Sequence, residues 1–252
     1  MTAPVQAGAE PFSAIGSDRG VVVLHGFTGS PFSMRPLAES LADRGYSVEL
    51  PLLPGHGTTL EDMVPTRWED WTAAAQASFD ELAARTAGVA VVGLSMGGGL
   101  ACWLAERRPE TVALVAVNPL VQPMADELRE GATALLDAGM ETIDGVANDI
   151  ARDGQDEHGY TGVPIAAALS LMDGLVDVAG QLASITCPTL VLTSREDHVV
   201  TTDNSELLAA KASGPVEHLW LERSYHVATL DHDAPLIEAE AGRFLDTAFD
   251  GR

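Results

Sequence analysis

A serine set between glycines, a histidine near the end of the chain and the acidic residues between them are the groups here with chemistry to offer. Gly93-Leu94-Ser95-Met96-Gly97 follows the apolar run Gly88-Val89-Ala90-Val91-Val92 and precedes a helix-compatible stretch at 100–106. A strand that enters a G-x-S-x-G turn and leaves as a helix holds its serine hydroxyl out at the carboxyl edge of a sheet, where a nucleophile is needed. The glycines fit because side chains there would collide where strand and helix cross. The pentapeptide alone is loosely specified, and the flanking elements give it meaning.

An activated serine needs a base, an acid behind the base and donors for an oxyanion. His226, in Ser224-Tyr225-His226-Val227, directly follows a strand-like run at 216–221 and precedes a terminal helix. His56, in Pro54-Gly55-His56-Gly57, is the other candidate base. Glu196 and Asp197 both stand just past the run at 189–193, where a carboxylate can reach a histidine on a neighbouring loop. For the oxyanion, Met96 supplies the N–H after the serine. The turn His25-Gly26-Phe27-Thr28-Gly29 supplies a second, with Phe27 as the candidate. His25 itself ends a buried strand and reads as structural. His232 lies between Asp231 and Asp233, but three adjacent residues cannot all converge on one ion. No Cys/His spacing matches a zinc site and no glycine pattern matches a nucleotide loop, so no metal or organic cofactor is implied.

The elements that must position these groups alternate. Short β-branched runs at 21–24, 47–50, 89–92, 112–117, 189–193 and 216–221 read as strands, and 34–44, 68–85, 97–107, 204–211 and 234–249 read as helices. That order implies an α/β fold with a mostly parallel central sheet flanked by helices. Its ligand sites lie at the carboxyl ends of the strands. Residues 120–182 break the pattern. They lack a strong strand signal and carry helical apolar spacing at Leu128, Leu135, Leu136, Met140, Ile143 and Ile150, interrupted by a polar loop at 152–159. The segment is too long for a plain loop. It is expected to form a small helical cap inserted before the acid-bearing strand, with 1–119 and 183–252 forming the core. Ordinary crossover helices are the alternative.

Composition sets outer limits. The 252 residues fit one domain, and the net charge of −23, with 37 acidic against 14 basic residues, argues against nucleic acid and anionic membranes. Lys211 is the single lysine. No apolar run is expected to approach the ~18 residues that cross a bilayer. The first residues carry no secretory pattern, so a cytoplasmic location is expected. Cys102 and Cys187 read as buried small apolar residues.

Several blocks together resemble one family: Leu24-His25-Gly26-Phe27-Thr28-Gly29-Ser30-Pro31, Met34-Arg35-Pro36-Leu37-Ala38, Gly55-His56-Gly57-Thr58, Gly93-Leu94-Ser95-Met96-Gly97-Gly98, Glu196-Asp197-His198-Val199-Val200 and Ser224-Tyr225-His226-Val227-Ala228-Thr229-Leu230-Asp231. Over nearly the whole chain they resemble the bacterial monoacylglycerol lipases, close to the small bacterial carboxylesterases. The resemblance implies an α/β-hydrolase fold and places the acid at Asp197. The order is then Ser95, Asp197, His226, as in that superfamily. It also implies an apolar gating residue and a glutamate that contacts the glycerol headgroup, by position Val146 and Glu157, although residues 144–164 are more acidic than the family pattern. The implied substrate is a small lipid ester, with at most transient contact between the cap and lipid aggregates. The expected reaction is ester hydrolysis through an acyl-enzyme. A general short- or medium-chain carboxylesterase, a thioesterase and a non-catalytic binding protein on the same fold are the competing readings. Relatives of this fold that use a carboxylate nucleophile are disfavoured by Ser95.

Overall fold

The computed structural model describes residues 3–146 and 148–251. In chain order its strands are β1 (Phe12–Ala14), β2 (Arg19–Leu24), β3 (Ser47–Leu50), β4 (Gly88–Leu94), β5 (Leu114–Val117), β6 (Thr142–Asp144), β7 (Gly162–Pro164), β8 (Thr189–Ser194) and β9 (Val216–Leu221). Its α-helices are α1 (Arg35–Asp43), α2 (Leu60–Met63), α3 (Trp68–Ala83), α4 (Met96–Arg107), α5 (Asp126–Asp137), α6 (Ile165–Gln181), α7 (Asp203–Lys211) and α8 (Ala234–Asp250).

The main sheet runs β1-β3-β2-β4-β5-β8-β9. Every neighbouring pair is parallel except β1 with β3. Strands covered on both faces must be apolar on both, so they read as continuous Val, Leu and Ala runs. Alternate residues then sort to opposite faces. Val22, Leu24, Val91 and Val191 join Trp71, Phe79, Leu100 and Leu175 of α3, α4 and α6. Val21, Val23, Val92 and Leu192 join Leu37 and Leu41 of α1 and Ile237 and Leu245 of α8. The central strands β4 and β5 therefore end in a fully enclosed setting, and whatever follows them is held rigidly.

The segment 120–182 departs from the expected all-helical cap. It contains α5, an antiparallel ribbon of β6 and β7, and α6. Of the residues expected to share one helical stripe, Leu128, Leu135 and Leu136 fall in α5, whereas Ile143 lies in β6 and Met140 and Ile150 lie in loops. Helix α5 buries none of its residues, and Leu128, Met140 and Val146 are all exposed. Helix α6 behaves differently: it buries Ile165, Ala167, Leu171, Leu175 and Val178 against the core. It packs so closely on α3 that a Cβ at Gly174 would lie 2.4 Å from the Trp68 ring. The expectation that no apolar run nears membrane-spanning length does not hold, because Ile165–Ser184 is 20 residues long and contains an 18-residue window with a mean hydropathy of 1.4. Its contacts with α3 and α4 make it a core helix.

Candidate active site

Ser95 sits between β4 and α4 with φ 57° and ψ −122°, a conformation L-residues rarely hold. The glycines around it are obligatory. A Cβ at Gly93 would lie 2.0 Å from Gly97 O, and one at Gly97 would lie 2.2 Å from Leu24 O. The core enforces this turn: the Ser95 N–H donates to Val117 O of β5 at 3.1 Å, and Ser95 O accepts from Gly99 and Leu120.

Asp197 follows β8. Its Oδ1 accepts the N–H groups of Val199 (2.8 Å) and Val200 (2.7 Å), which fixes the carboxylate within its own loop. Its Oδ2 meets His226 Nδ1 at 2.7 Å, with both side chains buried. His226 and Ser95 line one cavity of about 720 Å³. The cavity walls are mostly apolar and include Leu120, Met124, Leu171, Met172 and Val227.

The turn at 25–29 lies beside the serine, and a Cβ at Gly26 would be 3.4 Å from Ser95 Cβ. His25 holds this turn from behind. Its Nε2 accepts the Leu53 N–H at 3.1 Å, so its proton is on Nδ1, which donates to Gly26 O at 3.0 Å. Phe27 packs edge-on against Trp71 at 5.6 Å and His56 at 6.3 Å. Met96 is the buried first residue of α4. His56, the alternative base, is buried behind the turn with Nδ1 against Pro54 O and does not line the cavity. Among the described residues no cluster of His, Cys, Asp and Glu suits a metal ion, His232 included.

The profile of the Hydrolase_4 family, described as serine aminopeptidase S33, matches residues 16–233. The chain belongs to the Hydrolase_4 family. Within it, the chain is 41% identical to a thermostable monoacylglycerol lipase of Bacillus sp. strain H-257, over 93% of each chain. It is 28% identical to a carboxylesterase of Bacillus subtilis, over 94% of this chain and 96% of that one. A solved structure from work on the metagenome-derived lipolytic enzymes LipS and LipT superposes with a TM-score of 0.92 at 39% identity, covering 97% of this chain and all of that one.

The two residues carried over from the resemblance both reach the cavity of this Hydrolase_4 chain. Val146 stands at the rim, 59% exposed. Glu157 enters deeper, and a Cβ at Gly29 would be 3.3 Å from its Oε2, so it lies against the 25–29 turn. Burial pushes the Glu157 carboxyl up to about 7, with the charge of His226 opposing that rise.

Four residues important to the site were missed from sequence. Asn118 directly follows β5, and a polar residue after a buried strand was the available signal. Its Nδ2 donates to His226 O at 2.8 Å and its Oδ1 accepts the Ser194 N–H at 2.7 Å. Asp231 accepts from Tyr225, Ala151 and Arg152 N–H groups and so joins the histidine loop to the loop at 151–152. Tyr160 donates its N–H to Thr28 O at 2.9 Å and its hydroxyl to Gly55 O at 3.0 Å. Asp149, in the same acidic loop, accepts the His226 N–H at 3.0 Å. Nothing in its neighbourhood distinguishes it from the other surface carboxylates.

The buried ionisable groups set an unusual pH dependence of stability. Burial pushes His25 down to about 3 and His56 down to about 4. The unfolded chain takes up those protons near 6.5, so each histidine withdraws stability as pH falls below that value. Burial also pushes Glu106 up to about 8, and Glu157 behaves likewise. A raised carboxyl withdraws stability as pH rises from its unfolded value through its folded one. The two effects oppose each other between about pH 4.5 and 6.5, and only the carboxyls act above it. Unfolding free energy is therefore expected to be highest at mildly acidic pH and to fall toward pH 8.5, by about 1.4 kcal/mol per pH unit for a buried group such as Glu106. Urea unfolding at pH 5.5, 7 and 8.5 checks this, with Glu106→Gln flattening the alkaline fall. Stability that rises from pH 6 to 8.5 would contradict it.

Proposed function

We propose that this protein hydrolyses monoacylglycerols to glycerol and free fatty acid through an acyl-enzyme. Ser95 attacks the ester carbonyl as His226 Nε2 takes its proton. Asp197 keeps the other ring nitrogen protonated and stabilises the imidazolium that forms. The backbone N–H groups of Phe27 and Met96 receive the oxyanion, each worth about 2.7–4 kcal/mol in the barrier. His226 then protonates the departing alkoxide of glycerol. Water, activated by the same imidazole, attacks the acyl-enzyme and releases the fatty acid.

The observation that carries the headgroup assignment is Glu157, a buried carboxyl in a mostly apolar cavity, near His226 and against the oxyanion turn. An acyl chain has no use for it, whereas free glycerol hydroxyls do. The likeness to the Bacillus monoacylglycerol lipase supports the same reading. We assign the covering role to residues 120–182, with Leu128, Val146 and Val163 over the cavity and α6 anchoring the segment on the core.

The likeness to a carboxylesterase makes general ester hydrolysis the second reading. The test compares kcat/KM on a monoacylglycerol, its diacylglycerol and its methyl ester, at equal acyl length and below aggregation. The monoacylglycerol is expected to be preferred, and Glu157→Ala to erase about tenfold of that preference, the worth of one hydrogen bond. Equal rates on the monoacylglycerol and methyl ester would make the protein a carboxylesterase.

A further inference from the structure

We infer that Asp149 is a positioning residue for His226, acting from the cap segment. The proposal rests on the triad reading above and concerns what holds the base in place. The two loops that carry the acid and the base are secured differently. Asp197 fixes itself, because its own Oδ1 takes the N–H groups two and three residues ahead. The His226 peptide has no such local partner. Its carbonyl is held by Asn118 from the core at 2.8 Å, and its N–H is held by Asp149 Oδ2 from the opposite side at 3.0 Å, 77 residues away in sequence.

Asp149 does more than accept that one bond. The same Oδ2 takes the His198 N–H at 3.2 Å, and Oδ1 meets His198 Nδ1 at 2.8 Å. Its main-chain carbonyl takes the Val227 N–H at 3.0 Å. One residue therefore grips the acid-bearing loop one position past Asp197 and the base-bearing loop at His226 and Val227. The gap between Asp197 and His226 is spanned twice, once by their own hydrogen bond and once by this bridge. The Asp149 side chain is only 11% exposed, so water is a poor substitute. Small displacements of a reacting group are costly, with about 1 Å costing about 10²-fold. Loss of the bridge frees the ring-bearing peptide to shift by that order.

The chemistry of the bridge distinguishes geometry from charge. Asparagine can place its carbonyl oxygen where Oδ2 stands and accept both backbone N–H groups. Its NH₂ then faces His198 Nδ1, which accepts in the neutral ring. The asparagine variant keeps the geometry and discards the charge, whereas alanine discards both.

The experiment measures kcat and KM on p-nitrophenyl butyrate for the wild type and for Ser95→Ala, Asp149→Ala and Asp149→Asn, with an unfolding midpoint for each. Asp149→Ala is expected to lose about 10²-fold in kcat with KM nearly unchanged. Asp149→Asn is expected to recover at least a tenth of wild-type kcat. Unchanged kcat in Asp149→Ala, a rise in KM alone, or an asparagine variant as poor as alanine would each overturn the proposal. If Asp149→Ala does not fold, Asp149→Ser takes its place, because its hydroxyl is too short to reach both N–H groups. A wild type inactive on the ester, or an undiminished Ser95→Ala, would overturn the triad reading and this proposal together. Loss in Ser95→Ala with none in Asp149→Ala overturns this proposal alone.

Discussion

Ser95→Ala is expected to lower kcat by about 10⁴- to 10⁶-fold on every ester that the wild type cleaves, with the fold intact. The change removes one oxygen and leaves the backbone problem where it was, because alanine meets the same steric cost as serine at φ 57°. The hydrogen bonds that hold the elbow run through the main chain of residue 95 to Val117, Gly99 and Leu120, and none uses the hydroxyl. The unfolding midpoint should therefore stay close to that of the wild type while turnover collapses. Residual rate above the uncatalysed background is expected from the oxyanion donors and the cavity. Labelling by a fluorophosphonate should disappear with turnover. Substantial esterase activity in the purified variant would move the nucleophile elsewhere in the chain.

Asp197→Asn should cost about 10⁴-fold in kcat, through the tautomer of His226. The asparagine carbonyl can keep the N–H groups of Val199 and Val200, so the loop survives. Its NH₂ then faces His226 Nδ1 in place of Oδ2. The ring answers by accepting at Nδ1 and carrying its proton on Nε2, the nitrogen meant to take the serine proton. A base already protonated at its working atom cannot deprotonate Ser95. Kinetics on a soluble ester give the result directly. Glu196→Gln is the control, since Glu196 is exposed and the carboxylate that bonds His226 Nδ1 belongs to Asp197. An asparagine variant that keeps a tenth of wild-type activity, beside a crippled Glu196→Gln, would transfer the acid role.

What the sequence disclosed follows from how each part is held. The parallel strands announce themselves because both faces are covered, so Val21 to Leu24 or Val89 to Val92 have no polar alternation to confuse them. The groups that follow those strands were legible because strand ends are where this architecture exposes chemistry. Strands β1, β6 and β7 were not seen, each having three residues and too few side chains to show a period. Strand β5 begins at Leu114 rather than at 112, because Val112 and Ala113 are buried but outside its ladder. The apolar residues of α5 show helical spacing, yet none is fully buried: Leu128 borders the cavity, Leu135 is exposed and Leu136 is half-buried. The bridge made by Asp149 was invisible for a different reason. Its partners lie about 50 and 77 residues away, and one carboxylate in an acidic loop carries no mark of the backbone N–H groups it meets.

The elbow has a consequence for descent. Glycine occupies the conformation of residue 95 freely, and serine does not. At this position folding and turnover ask for different amino acids. A lineage selected only to stay folded would drift from serine toward glycine there and become sturdier as it fell silent. Serine persists only while its chemistry is being used. Inactive descendants of this protein should therefore look like well-built proteins lacking one hydroxyl, and not like decayed enzymes.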